Sequence, residues 1–334
     1  MITYRATLDV PHDLARYLGH LLRAERRRRG TRTHARALTC FWQAVLGLRW
    51  FRHNTDVTTP ARDHGIARAT AYRYLDEIIT VLADHAPNLH DALRHAKNQG
   101  ATHVILDGKI FPADRYGEPA LSKKHTVIDR WYSGKAHRHG GNIQALTAPN
   151  GFPLWVSDVE PGSVNDMLSA RKHVLGALYW AASQLGLPTL ADAGYVTAGI
   201  GVFTPVKHLG DGHALAVDNR TYDTLLRGLR CLGERGFALL TGRWRALRHI
   251  TASPRKIGDI VKAAGSTHIP APVLLQTIQC EDPGPSRTSV APQGPPTTAS
   301  KRPAMSSVAP KRRSPPGQTG REQCGRKCRS RRRP

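Results

Sequence analysis

Long apolar runs, cysteines and acidic residues are all scarce in this chain of 334 residues. No apolar run reaches the roughly 18 residues that a membrane-spanning helix needs, so such a helix is not expected. The start, MITYRATLDVPHD, has no basic segment followed by an apolar stretch, which argues against a secretory signal and for a cytosolic setting. The five cysteines (Cys40, Cys231, Cys280, Cys324, Cys328) are odd in number and scattered, and so read as reduced thiols rather than a disulfide framework. Cys324 and Cys328, the one close pair, have no His or further Cys beside them to complete a zinc site. Against 49 Lys and Arg stand only 25 Asp and Glu, for a net charge of +24. A polyanion, nucleic acid first of all, is the partner such a balance favours.

The basic charge is not confined to one segment. Residues 281–334 carry 13 Lys and Arg against three acids, together with ten of the 23 prolines, and offer too few large apolar side chains to offset the entropy of ordering them. The final segment, 266–334, therefore reads as a disordered Pro/Arg-rich tail. A second cluster, Arg23 to Arg36, packs seven arginines into 14 residues ahead of a helical pattern. It is either a solvated charged face or part of a nucleic-acid surface.

Residues 1–95 read as helical. CFWQAVLGLRWFRH, from Cys40 to His53, places Phe41, Val45, Leu48 and Trp50 or Phe51 on one face. Thr59 before Pro60 suits a cap and first helical position, Gly65-Ile66 interrupts the pattern, and a second helix starts near Ala67 with Ala71, Leu75, Ile78, Ile79 and Leu82 on one stripe. Helix, glycine turn and helix have helix-turn-helix spacing, which would set Arg68, Thr70, Tyr72 and Arg73 toward DNA. An ordinary helical hairpin has the same pattern.

From residue 100 the periodicity turns strand-like. HVILDGKIF (103–111) reads as a buried strand that ends on Asp107-Gly108. NIQALTAP and FPLWVSDV flank Asn150-Gly151, a strong hairpin signal. Residues 163–185 read as one helix, with Ser163 as its cap and Asp166 three positions on. PTLAD ends on Asp192, GVFTPVK (201–207) reads as a strand, and a long helix from Asn219 to about Leu247 keeps Leu226, Leu229, Phe237, Leu240 and Trp244 on one face with Glu234 beside them. The order is that of a mixed α/β layer fold spanning 100–265.

The acids are the informative part. Asp107 and Asp192 each close an apolar run, and neighbouring strands would bring them together, with Glu234 on a helix packed across them. Converging carboxylates repel in a low dielectric and call for cations, and oxygen-only donors select hard ions such as Mg²⁺ or Mn²⁺. Two such ions activate a water or 3′-hydroxyl and stabilise the leaving oxygen of a phosphodiester. Read without that convergence, these are two turn aspartates and a surface glutamate.

VILDGK, WYSGKAHRHGGNIQALTAPNGFPLWVSDVEPGSVNDM, LADAGY, FTPVK and RGLRCLGERGFALLTGRWRAL resemble, in order, the motif series of DDE transposases of bacterial insertion sequences, in the Harbinger-related group. The resemblance covers about residues 35–262. It implies an RNase H-like mixed sheet with flanking helices, preceded by an all-α helix-turn-helix domain, and a catalytic triad at Asp107, Asp192 and Glu234 holding two divalent ions. It also implies binding to the double-stranded DNA of element ends and target, homo-oligomers on that DNA, and a bacterial, nucleoid-associated location. Asp166, in GSVND, matches an aspartate usual in the family; as read above it is part of a helix cap. Lys135, His137, Arg138 and His139 are candidates for gripping phosphates, or form an exposed basic hairpin without that role. Two departures stand out. Ala193 replaces the basic or polar residue usual between Asp and Gly, and the segment after about residue 265 lacks a further apolar helix and reads as an out-of-frame extension.

Overall fold

The computed structural model describes residues 8–122, 125–207 and 214–267. The expectations for the tail lie outside these residues. The N-terminal part is a stack of helices, α1 (His12–Arg28), α2 (Cys40–His53), α3 (Thr58–Asp63), α4 (Arg68–Asp84) and α5 (Leu89–Asn98). Strand β1 (Val104–Pro112) follows, then the short β2 (Pro119–Leu121), β3 (Val127–Asp129) and β4 (Tyr132–Ser133), the long β5 (Arg138–Thr147), and β6 (Pro153–Val156) and β7 (Glu160–Pro161). Helices α6 (Asp166–His173) and α7 (Leu175–Gln184), strands β8 (Thr189–Leu190) and β9 (Val202–Phe203), and helices α8 (Val217–Arg230), α9 (Gly233–Arg243) and α10 (Ile257–Ser266) complete the described chain. Among the described residues, no helix is long and apolar enough to cross a membrane.

The helical reading of the N-terminal part holds closely. Helix α2 spans the predicted residues, with Thr39 Oγ1 accepting from the Trp42 N–H and Asn54, left-handed at φ 53°, closing its C-terminus. Gly65 also takes a left-handed φ, 64°, a backbone conformation that L side chains rarely adopt, and turns the chain from α3 into α4. Two details differ. Helix α3 begins at Thr58 with Val57 in the cap position, so Thr59 and Pro60 lie within its first turn. The arginine cluster is partly structural: Arg29 and Arg36 approach the buried carboxylate of Glu77 on α4 at 3.6 and 3.3 Å. Gln43 ties to Glu77 at 2.9 Å and receives Arg26 at 2.7 Å.

The sheet is mixed. Strand β1 lies between β5, antiparallel, and β8, parallel, with β9 parallel beyond β8 and β4, β7 and β6 along the far edge of β5. The β5–β6 hairpin turns at Gly151, φ 79°, as the Asn-Gly pair predicts. Four spans depart from the sequence expectation. Strand β1 continues to Pro112, so Asp107 sits in its middle, not at its end. Residues 166–184 are two helices broken at Val174 (φ −129°, ψ −46°); Asn165, not Ser163, is the cap, its side chain accepting from the Leu168 N–H, and Asp166 is the first helical residue. The Asn219–Leu247 helix is likewise two, and Leu229 is exposed; the predicted strand 201–207 shortens to β9.

Helices cover both faces. Phe111, Ile143 and Ala145 of β1 and β5 pack with α9 and α10 into a core that continues through α4 and α2 to α1, with Phe51 edge-on to Trp244 at 6.0 Å. Val104, Leu106 and Leu146 face α5, α6 and α7 on the other side. Helix α10 buries Ile257, Ile260 and Val261 in the first core, each contributing about 1.5–3 kcal/mol by leaving water. Its Ser266 hydroxyl donates to the Leu82 carbonyl at 3.0 Å and Lys256 pairs with Asp76 at 2.6 Å, so α10 fastens α4 beside the sheet.

Candidate active site

Val104 and Ile105 of β1 pair with Thr189 and Leu190 of β8. Asp107 and Asp192 each stand two residues past Ile105 and Leu190, so the parallel register carries both to the same level on neighbouring chain segments. The two strands are neighbours, as the strand-end reading expected, but by another arrangement: β8 stops at Leu190, and Asp107 follows within β1 rather than at its end. Asp107 Oδ1 accepts from the Gly108 N–H at 2.9 Å, and Asp192 Oδ1 from the Gly194 N–H at 2.8 Å. Neither bond is an ion pair. Burial, reinforced by the charges of Asp192 and Asp166 and opposed by the Gly108 N–H and by Arg230, pushes Asp107 up to about 6. Its negative charge is short of compensation, which is what a cation ligand of this kind requires.

Glu234 stands in the first turn of α9, which lies against β1. Two glycines let the helix lie close to the sheet: a Cβ on Gly233 would sit 2.6 Å from Ile105 Cγ2, and one on Gly236 2.4 Å from Thr147 Cγ2. Ile105 and Asp107 share one face of β1, so the first turn of α9 starts beside the strand that holds Asp107. The Glu234 side chain itself is exposed. Among the described residues no three His, Cys, Asp or Glu side chains are gathered closely enough to hold one ion. The donor set still fits hard divalent cations: oxygen atoms only, with one oxygen each of Asp107 and Asp192 outside the backbone bonds named above. Arg230, at the end of α8, acts on Asp107 electrostatically, and its Nε is buried without a hydrogen-bond partner.

The opposite face of β1 carries a polar chain that sequence reading missed. Tyr195 donates to Gln144 Oε1 at 2.6 Å, Gln144 Nε2 to Asn142 Oδ1 at 3.1 Å, and Asn142 Nδ2 to Asp166 Oδ1 at 2.9 Å. Gly108 lies against this chain: a Cβ there would meet Asp166 Oδ1 at 2.6 Å and both Gln144 Nε2 and the Tyr195 hydroxyl at 2.8 Å. The signal was present in NIQA, where Asn142 and Gln144 alternate with Ile143 and Ala145 in a strand whose four side chains are all buried. Asp166 thus belongs to this network as well as to the first turn of α6.

The remaining predicted residues fall into two places. In the β4–β5 turn, Lys135 pairs with Asp166 Oδ2 at 2.8 Å, Arg138 Nε donates to the Ala136 carbonyl at 3.2 Å, and His137 is exposed in a left-handed φ of 52°. His139 instead faces Asp129 at 3.2 Å. Lys135, Arg138, Lys109, Gly108 and the start of α6 border an open cleft of about 550 Å³. Arg68, Thr70, Tyr72 and Arg73 lie on the first turns of α4, where Arg68 stacks on the exposed Tyr72 ring at 5.5 Å. Ala193 is exposed beside Asp192.

Neither the curated proteins nor the solved structures include a match to the chain. Residues 107–266 match the family model described as DDE superfamily endonuclease, a match that opens on Asp107 and closes on the last residue of α10. The stretch that holds most of the mixed sheet, its flanking helices and the carboxylates described above is thus similar to the DDE superfamily endonucleases, a transposase-related family.

Proposed function

We propose that the chain is a DNA transposase that binds the terminal inverted repeats of its own element and, through Asp107, Asp192 and Glu234, hydrolyses a phosphodiester there and joins the freed end to target DNA. The observation that carries this reading is the parallel register of β1 and β8, which brings Asp107 and Asp192 level with one another beside the helix that bears Glu234. An RNase H-like description suits this arrangement. Asp107 and Asp192 would hold two Mg²⁺ or Mn²⁺ ions, with Glu234 completing one of them, and such ions would supply Lewis-acid activation of a water or 3′-hydroxyl and charge neutralisation at the leaving oxygen. Asp107, half-buried and poorly compensated, supplies the charge that draws cations in. Lys135 and Arg138 neutralise backbone phosphates without reading sequence. Residues 1–95, and within them Arg68, Thr70, Tyr72 and Arg73 at the start of α4, act as a helix-turn-helix that supplies specificity. Two ends must be held at once, so the protein works as a homo-oligomer on DNA.

Cleavage and strand-transfer assays on DNA carrying the element's ends with Mg²⁺ test this. Nicked and joined products are expected, and Asp107→Asn should abolish both while leaving end binding nearly intact. An Asp107→Asn protein that still cuts removes Asp107 from the site. Nicks without joined products would mark a nuclease of the same fold, and binding without any cutting a DNA-binding relic.

A further inference from the structure

Lys109 follows Asp107 by two positions in β1, so both side chains leave the same face of the strand, about 6.5 Å apart along it. That face is the one α9 covers. The Lys109 ammonium lies over the Phe237 ring, 5.4 Å from its centroid, and Phe237, buried and edge-on to Phe111 at 5.9 Å, stands three residues past Glu234 in α9. The lysine is half-buried. Among the described residues its ammonium has neither a hydrogen bond nor a carboxylate within ion-pair distance. Lys135 and Lys262, by contrast, each close on an aspartate. Packing alone would be served as well by methionine here, and the ring contributes only about 0.5–2 kcal/mol to a cation that has given up part of its water. A positive charge is thus held without a partner one pleat along from Asp107.

We infer that Lys109 is a further catalytic residue of the proposed cutting reaction, its ammonium contacting a non-bridging oxygen of the scissile phosphate at Asp107. The inference rests on the reading of Asp107, Asp192 and Glu234 as the cutting centre. A lysine side chain is long enough to cover the distance between the two positions. An ammonium beside divalent cations is repelled unless an anion lies between them, and the phosphate is the anion that the reaction brings. Because the strand and Phe237 already hold the lysine stem, the ammonium can stabilise charge that develops on the phosphate without first being reorganised. Lys109 also borders the cleft that Lys135 and Arg138 line, so all three cations adjoin one path for a DNA strand.

Single-turnover cutting of end-bearing DNA by the full chain with Mg²⁺, together with binding of the same DNA, tests this. Lys109→Met keeps a stem against Phe237 and removes the charge, so it should cut about 100-fold more slowly. Its affinity for the ends should change by no more than about threefold, since one phosphate contact among several is lost. Lys109→Arg, which keeps the charge, should recover at least about tenfold of the lost rate, whereas a purely packing role would favour methionine over arginine. A methylphosphonate at the scissile position removes the charge of that phosphate: the parent should bind such DNA about threefold less tightly than ordinary DNA, and Lys109→Met should bind the two alike. Lys109→Met cutting as fast as the parent or as Lys109→Arg, or paying the same methylphosphonate penalty as the parent, overturns the role of Lys109 alone, provided Asp107→Asn still fails to cut. If Asp107→Asn cuts like the parent, or the parent does not cut, the underlying reading fails and takes the inference with it.

Discussion

Replacing Asp107 by Asn removes a half-buried negative charge and keeps the shape of the side chain. The Gly108 N–H, 2.9 Å from Oδ1, retains its acceptor in the variant. Burial, with Asp192 and Asp166 nearby, raises this carboxyl from an ordinary 3.8 to about 6. Between those values the folded chain holds more protons than the unfolded one, so its stability falls as pH rises through the window. A rise of that size corresponds to at most about 3 kcal/mol. Water reaches part of the side chain, so we expect the variant to exceed the parent by about 1–2 kcal/mol at roughly pH 8 in the presence of a chelator. That difference amounts to about 2–6 °C in Tm. Thermal unfolding followed by circular dichroism should show the gap closing toward about pH 4, where the parent is protonated as well. A variant no more stable than the parent at the higher pH, or equally favoured at both, refutes the argument that Asp107 is an uncompensated charge. Because the same substitution should abolish cutting, the residue would be one kept at a cost to stability.

Other perturbations test the surroundings of that carboxylate. Gly108→Ala drives a methyl group against Asp166, Gln144 and Tyr195, three partners already tied to one another, and should destabilise the fold by about 1–3 kcal/mol in urea titrations; a change under about 0.5 kcal/mol would show that the network yields freely. Tyr195→Phe strips the donor from the buried Gln144 Oε1 and should lose about 1–2 kcal/mol in the same assay, with no loss if that oxygen finds another donor. Glu77→Ala leaves Gln43 without its carboxylate and frees Arg29 and Arg36, so α4 should exchange its amide hydrogens faster and stability should drop by about 1–3 kcal/mol; unchanged exchange would show that the arginines are ornaments of the surface. DNA affinity should fall by roughly a decade or more between low and physiological salt, as several phosphate contacts demand, and a flat salt response would exclude backbone binding.

How much of this was legible in the sequence depends on the range over which each signal acts. The bounds of α2, the stripe along α4 and the hairpin at Gly151 follow from local rules, and all three were readable. So was the kinship of Asp107 and Asp192, since both follow apolar runs of a kind that pair in parallel. The breaks at Val174 and after Arg230 were not, because the apolar pattern runs through both while the chain changes direction. In the second case the reason lies in the sheet: Gly233 and Gly236 mark a backbone that must lie against Ile105 and Thr147, a demand no helical period records. Glu77 was equally hidden. A charged residue on an apolar stripe looks like an error of phase until Gln43, Arg29 and Arg36 arrive from 34 to 48 positions away.

The fastening of α4 to the sheet by α10 gives the proposed enzyme a built-in ruler. If α4 reads a sequence and Asp107 belongs to the cutting centre, no flexible joint separates the reading head from the blade, since both rest on one continuous core. The number of base pairs between the recognised motif and the scissile bond is then a property of the protein's own dimensions. An element end with a base pair inserted in that interval should be bound normally and cut poorly, or cut one step out of place.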